Sequence, residues 1–315
     1  MCKRPRTKVT IFLGLVLVCS MGLTATPAPK DAPAFVRLAR IIEPIEVGIP
    51  YPAGLAFSPS AGTLLVVKRR IPGTPPGPVT DIELITLAEQ RAGTVRIAAG
   101  VTDPVNMAFD SMANRMLIFQ SRNKQLIEIL ARPDGSLDPQ TLKRINAAHF
   151  SVQNPQGLTV DPASGHLLIL DAAGPRIVRV EPHARLGFAS PTISEIDLAQ
   201  TGWSDLRGLA FDPTTGHLHV LDPTAQALHE LTETGQIVAT RDLSDFGFRN
   251  THGMTFGPSG DATDDPSEMS LYIADSGVGT RAAPGVGSTF AESGQISELS
   301  LVQTAGVPYV QTPSN

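Results

Sequence analysis

Cysteine is almost missing from this chain of 315 residues: the two present, Cys2 and Cys19, both fall in the leading segment. Without that segment no thiol is left, so disulfide staples and thiolate chemistry drop out. Basic charge is scarce as well. The 25 Lys and Arg are outnumbered by 30 Asp and Glu, a net charge of −5, which argues against nucleic acid as a partner because phosphate binding depends on clustered Lys and Arg. No apolar run reaches the roughly 20 residues that a membrane span needs. Signatures of nucleophilic and phosphate chemistry are also absent. There is no Gly-x-Ser-x-Gly elbow, since Gly257-Pro-Ser-Gly260 is a turn of different spacing, and no glycine loop ends in Lys-Ser or Lys-Thr.

The leading residues follow a pattern of their own. Lys3, Arg4, Arg6 and Lys8 precede an apolar stretch from Val9 to Leu23, and the proline-rich run Thr24 to Pro33 comes next. That order matches a secretory signal with an apolar part of about 15 residues. The expectation is a signal peptide over 1–25, a Pro/Ala-rich linker over 26–34, a single domain over 35–302 and a tail over 303–315. Such a protein is secreted or periplasmic and monomeric, with no membrane span after cleavage; an uncleaved N-terminal anchor is the alternative. Cys19 follows Val18, where lipid attachment wants a small residue, so it reads as an ordinary apolar-segment cysteine. Cleavage also removes four positive charges and leaves the remainder more acidic.

What the chain does have is a motif written five times. It reads Gly54-Leu-Ala-Phe57, Asn106-Met-Ala-Phe109, Gly157-Leu-Thr-Val160, Gly208-Leu-Ala-Phe211 and Gly253-Met-Thr-Phe256. The opening positions lie about 52, 51, 51 and 45 residues apart, a period that marks units stable only when stacked. Unit four shows the plan: strands over Leu209–Phe211, His217–Leu221, Ala227–Leu231 and Ile237–Asp242, with Asp212-Pro-Thr-Thr-Gly216 as the first turn. Proline presets φ there, Asp bonds its own backbone and Gly takes the positive φ. The opening glycines read as left-handed turn residues, and Asn106 as the commonest substitute for glycine in that conformation.

Four short antiparallel strands per unit, without helical periodicity, predict an all-β fold: a β-propeller of five four-stranded blades. Unit five lacks a fourth strand, and Phe35 to Ile42 supplies it, so the N-terminal strand closes the ring. Six blades is the alternative, if the tail Val302 to Val310 builds further sheet.

The Gly-apolar-x-apolar-Asp-Pro-x-x-Gly pattern of units three and four, followed by an apolar-Asp pair, resembles NHL-repeat and SMP-30/gluconolactonase-like propellers, and also bacterial esterase-like phytase propellers. By analogy with these families, the site lies at the channel mouth formed by the loops entering each first strand and those joining second to third strands. Two rings of side chains fall there: Ala53, Val105, Gln156, Arg207 and His252, then Lys68, Gln120, Asp171, Asp222 and Asp275. Gln156, Arg207, His252, Lys68 and Gln120 are the expected ligand contacts.

Asp171, Asp222 and Asp275 have the chemistry to gather Ca²⁺, although an Asp closing strand after strand also ties down its turn. In SMP-30-like enzymes the metal site begins with Glu-Gly entering the first blade; here the place reads Tyr51-Pro-Ala-Gly54. Only Asp275, in Tyr272-Ile-Ala-Asp275-Ser276, matches a ligand position of that family.

Two long second-to-third loops, Arg69 to Pro78 and Ser276 to Gly294, flank His252 through ring closure, and long loops on a rigid frame are where binding resides. His217 and His219 share a strand face as a metal pair might, yet His166 repeats the first of them as a packing position. The acidic run Asp261 to Glu268 lacks EF-hand ligand spacing and reads as a solvated turn on the opposite face. The expected function is therefore a propeller binding a protein or glycan partner, with no chemistry of its own and no certain cofactor. The alternative is a Ca²⁺-dependent lactonase or phosphoesterase with Asp171, Asp222 and Asp275 as metal ligands and His252 as catalytic base.

Overall fold

The computed structural model describes residues 34–43, 48–68, 80–97, 101, 104–265, 267–277 and 294–303. The expected signal peptide, most of the linker and tail, the whole loop Arg69 to Pro78 and most of the loop Ser276 to Gly294 lie outside the described residues. Those that are described form five four-stranded antiparallel sheets and no α-helix. No helix among them is long and apolar enough to cross a membrane.

Strand β1 (Ala34–Ile42) belongs to the last blade. Blade one is β2 (Pro52–Ser58), β3 (Thr63–Lys68), β4 (Thr80–Thr86) and β5 (Arg91–Ile97). Blade two is β6 (Pro104–Asp110), β7 (Arg115–Gln120), β8 (Gln125–Leu130) and β9 (Lys143–Asn146). Blade three is β10 (Pro155–Val160), β11 (Leu167–Asp171), β12 (Arg176–His183) and β13 (Gly187–Asp197). Blade four is β14 (Arg207–Phe211), β15 (Leu218–Asp222), β16 (Ala227–Leu231) and β17 (Ile237–Asp242). Blade five is β18 (Thr251–Pro258), β19 (Met269–Asp275), β20 (Gln295–Gln303) and then β1, paired antiparallel from Ala34 opposite Gln303 to Ile42 opposite Ile296. The ring is closed by the N-terminal strand, with five blades rather than six.

Each blade is apolar on both faces, so the core is divided into five clusters, one at every junction. Val36 of β1 joins the cluster between blades four and five, and Ile42 the cluster between five and one. The closing strand thus packs both ways. The turn chemistry is as read: Asp161 and Asp212 accept the N–H of Ala163 and Thr214, both at 2.8 Å, while Gly165 and Gly216 sit at φ +70° and +73°.

The opening glycines need correction. Only Gly208 has a positive φ, +59°, and Asn106 has none. What these positions share is crowding, because the first strands of successive blades converge on the axis. A Cβ on Gly157 would stand 2.6 Å from the Leu209 nitrogen, and one on Gly253 would stand 2.7 Å from the Ala53 oxygen. Outside Gly208, glycine is required by the close approach of neighbouring blades, not by a turn.

Asn106 fills the axis instead. Its Oδ1 accepts from the Leu55 N–H at 2.9 Å, and its Nδ2 donates to the carbonyls of Leu158 and Met254, each at 3.1 Å. One fully buried side chain of blade two therefore bonds blades one, three and five.

Candidate functional site

At the mouth expected from the sequence, the candidate side chains are committed within their own blades. Lys68 Nζ pairs with Glu83 at 3.2 Å, Gln156 donates to Asn154 at 2.7 Å, and Arg207 pairs with Asp205 at 3.2 Å. Gln120 is buried, and His252 is half-buried at the start of β18, its carbonyl facing Gly208. A small cavity of about 50 Å³ opens between blades four and five beside Asp222, Phe248 and Arg249.

The three aspartates act as ties. Asp171 accepts the N–H of Gln153 at 3.0 Å and of Asn154 at 2.8 Å, and pairs with Arg176 at 2.9 Å. Asp275 repeats the arrangement with the N–H of Arg249 at 2.6 Å and of Asn250 at 3.0 Å. Asp222 accepts from Ala225 at 2.9 Å. In blades three and five, the end of the second strand thus holds the loop that enters the first. Among the described residues no three His, Cys, Asp or Glu side chains come together in a group that could hold a metal ion.

Burial of Asp171 would raise its pKa, but the amides of Asn154 and Gln153 and the Arg176 guanidinium outweigh it, and the carboxyl lies below its ordinary value. The stability this contributes is full above about pH 4, where an unfolded aspartate is ionised, and is lost as pH falls through the lower folded-state pKa. Asp171→Asn is expected to cost about 2 kcal/mol at pH 7 and progressively less below pH 4. Urea unfolding at the two pH values measures it.

A broader concavity opens at the other end of the axis. It is a cavity of about 240 Å³ walled by every blade: Phe57, Phe109, Val160, Phe211 and Phe256 at the ends of the first strands, with Pro59, Ser111, Pro162, Pro213 and Pro258 two positions further on. Met107, Ala108 and Met254 stand among its walls, and Met269 with Pro258 brackets the acidic turn of blade five. Phe57 and Phe109 are half-buried, while Pro59 and Pro213 are exposed, so the bowl is reached from solvent. Its few hydroxyls are Ser111, Thr159 and Thr255, and Thr159 Oγ1 already accepts from the Phe211 N–H at 3.2 Å.

Asn106 Nδ2 bonds the carbonyl of Met254, and the bowl is lined by Met107 and Met254. The axial side chain is therefore placed directly behind the lining.

Behind Phe256 lies His219, 1% exposed and edge-on to that ring at 5.1 Å. Burial pushes its pKa down to about 4 although Glu230 pulls the other way, so it stays neutral and packs as a wall. His217 directly precedes β15 and lies on the same side as His219, its Nδ1 meeting Glu230 at 2.5 Å. Glu230 also pairs with the buried Arg241 at 2.7 Å. The two histidines flank a carboxylate that is already paired.

Sequence reasoning missed the bowl. Its signal was present in the last residue of the fivefold motif, apolar each time, with proline two positions later in four units of five.

No protein-family model matches the chain, and no curated protein does. Among solved structures, the chain is similar to a nidogen/laminin complex at 18% identity, over 71% of this chain and 72% of that one, with a TM-score of 0.45. It is similar to virginiamycin B lyase from Staphylococcus aureus at 14% identity, over 80% and 66%, with a TM-score of 0.42. A luciferin-regenerating enzyme is similar at 13% identity, over 85% and 98%, with a TM-score of 0.48. Likenesses this distant assign neither NHL-repeat nor SMP-30 membership, and carry no activity over to this chain.

Proposed function

We propose that this propeller binds another protein, and that one apolar side chain of the partner enters the five-walled bowl. The carrying observation is the ring itself, because each blade delivers an apolar residue to one concave point. A dry cavity of about 150 Å³ accepts benzene, so 240 Å³ is ample for one aromatic or branched side chain. Anchors of that kind, seated in rigid pockets, dominate the energetics of protein interfaces. A glycan would want convergent hydrogen-bonding groups, and the three hydroxyls of this lining are too few. Binding of this type asks no chemistry of the propeller.

The methionines give a direct test. With carbon-13 methyl labels, N-acetyltryptophanamide is expected to shift the methyl signals of Met107, Met254 and Met269, which line the bowl, and to leave Met116, buried between blades one and two, in place. Thr255→Phe, which puts a ring into the cavity from a half-buried position, should weaken the probe about tenfold. Unmoved bowl methyls at saturating probe would refute the reading.

A further inference from the structure

We infer that the docked segment is cationic, with lysine or arginine on both sides of its apolar anchor. The inference deepens the bowl reading and rests on it. Five turns joining first to second strands surround the bowl: residues 59–62, 111–114, 161–166, 212–217 and 259–268. They contain Asp161, Asp212, Asp261, Asp264, Asp265 and Glu268, and not one Lys or Arg. Asp161 and Asp212 directly precede the lining residues Pro162 and Pro213, and the other four stand between the lining residues Pro258 and Met269. The lip of an apolar cavity thus carries carboxylates on three of its five sides, exposed at Asp261, Asp265 and Glu268 in the turn of blade five and turned into their own loops at Asp161 and Asp212.

Nearby cations offset it only in part. Arg115 is spent on Asp110 at 2.9 Å and Glu128 at 2.7 Å, and Arg40 on Glu298 at 2.5 Å and Glu89 at 3.1 Å. Arg37 and Arg40 both lie on β1, the outermost strand of blade five, and from there they act on Asp261. Asp261 and Asp265 are held below the ordinary carboxylate pKa by their own loops: Thr263 donates to Asp261 through N–H and hydroxyl, and Ser267 does the same to Asp265. A hydrophobic seat with a charged lip of one sign selects an anchor flanked by the opposite sign, and sets both orientation and approach.

Three short peptides test this: acetyl-Gly-Lys-Trp-Lys-Gly-amide and its counterparts with Gln or Glu in place of both Lys. Affinity is read by calorimetry and by the bowl methionine signals, on the wild-type protein and on a variant carrying Asp261→Asn, Asp264→Asn, Asp265→Asn and Glu268→Gln. The amide replacements keep the turn acceptors, and unchanged affinity for the Gln peptide verifies that the bowl is intact.

The expected result is binding of the Lys peptide about tenfold tighter than the Glu peptide at low salt, with the preference fading at high salt and in the variant. Equal binding of all three peptides, or a preference that survives in the variant, overturns the inference while leaving the bowl as a docking site. If no peptide moves the bowl methyls, the bowl reading itself fails and the inference with it.

Discussion

Gly253→Ala and Gly157→Ala are each expected to cost about 3 kcal/mol or more, although alanine ordinarily stabilises at a non-helical site with ordinary φ by stiffening the unfolded chain. The added carbon of Gly253 would fall 2.7 Å from the Ala53 oxygen, 2.8 Å from the Gly54 Cα and 2.8 Å from the Leu55 nitrogen. At Gly157 the Leu209 nitrogen lies at 2.6 Å and the Gly208 carbonyl carbon at 2.7 Å. These neighbours are almost all backbone, so no rotamer relieves them. Blade would have to move from blade, and the walls of the bowl with them. Gly93→Ala and Gly174→Ala, where an added carbon meets nothing within 4 Å, supply the contrast and are expected to be neutral within about 0.5 kcal/mol. Urea midpoints of the four variants decide it; equal effects at axial and outer sites would show that the first strands do not meet as described.

The second large effect is at Asn106. Asn106→Ala leaves the Leu55 N–H without its acceptor and the carbonyls of Leu158 and Met254 without a donor, in a place where the side chain was fully buried. With about 1–3 kcal/mol for each stranded group, partly recovered by water, the loss is expected at about 3 kcal/mol. Asn106→Asp carries a distinguishing signature. A carboxylate facing two carbonyl oxygens is unfavourable, and the protonated acid can donate, so the folded-state pKa is raised. Such a group contributes stability below its unfolded pKa and loses it as pH rises through the folded value. The deficit of the Asp variant should therefore shrink on acidification, while that of the Ala variant should not. If the two followed the same pH course, the axial hydrogen bonds would not exist.

Much of the architecture could be read before any coordinates, because each blade repeats its instructions. The spacing of the five motifs, the Asp-Pro turns and the place of Phe35 to Ile42 before unit one are patterns legible along the chain, and the strands follow them. Two features escaped for a physical reason. Glycine is demanded equally by a positive φ and by close backbone approach, so Gly54, Gly157 and Gly253 looked like turn residues although their constraint comes from neighbouring blades. Asn106 shared that ambiguity, since nothing within its own blade announces that its side chain will reach Leu55, Leu158 and Met254.

The bowl escaped similarly. Phe57, Phe109, Val160, Phe211 and Phe256 are unremarkable strand ends one at a time, and they become a lining only when five strands are set around one axis. The aspartates illustrate the reverse case. Asp171 and Asp275 were legible as ties from their place after a strand, but the amides they hold belong to the incoming loop and lie far away in sequence.

Bowl, axial bonds and acidic lip all depend on the closing strand, since without β1 on β20 the junctions of blade five with blades four and one lose the packing of Val36 and Ile42 that locks the ring. Native-state hydrogen exchange of the β1 amides measures that closure without altering the molecule. The account predicts that the hydrogen-bonded amides of β1 exchange only with the global unfolding of the propeller, as slowly as those of β19. Exchange of β1 at the rate of an unstructured segment, with β19 still protected, would contradict it.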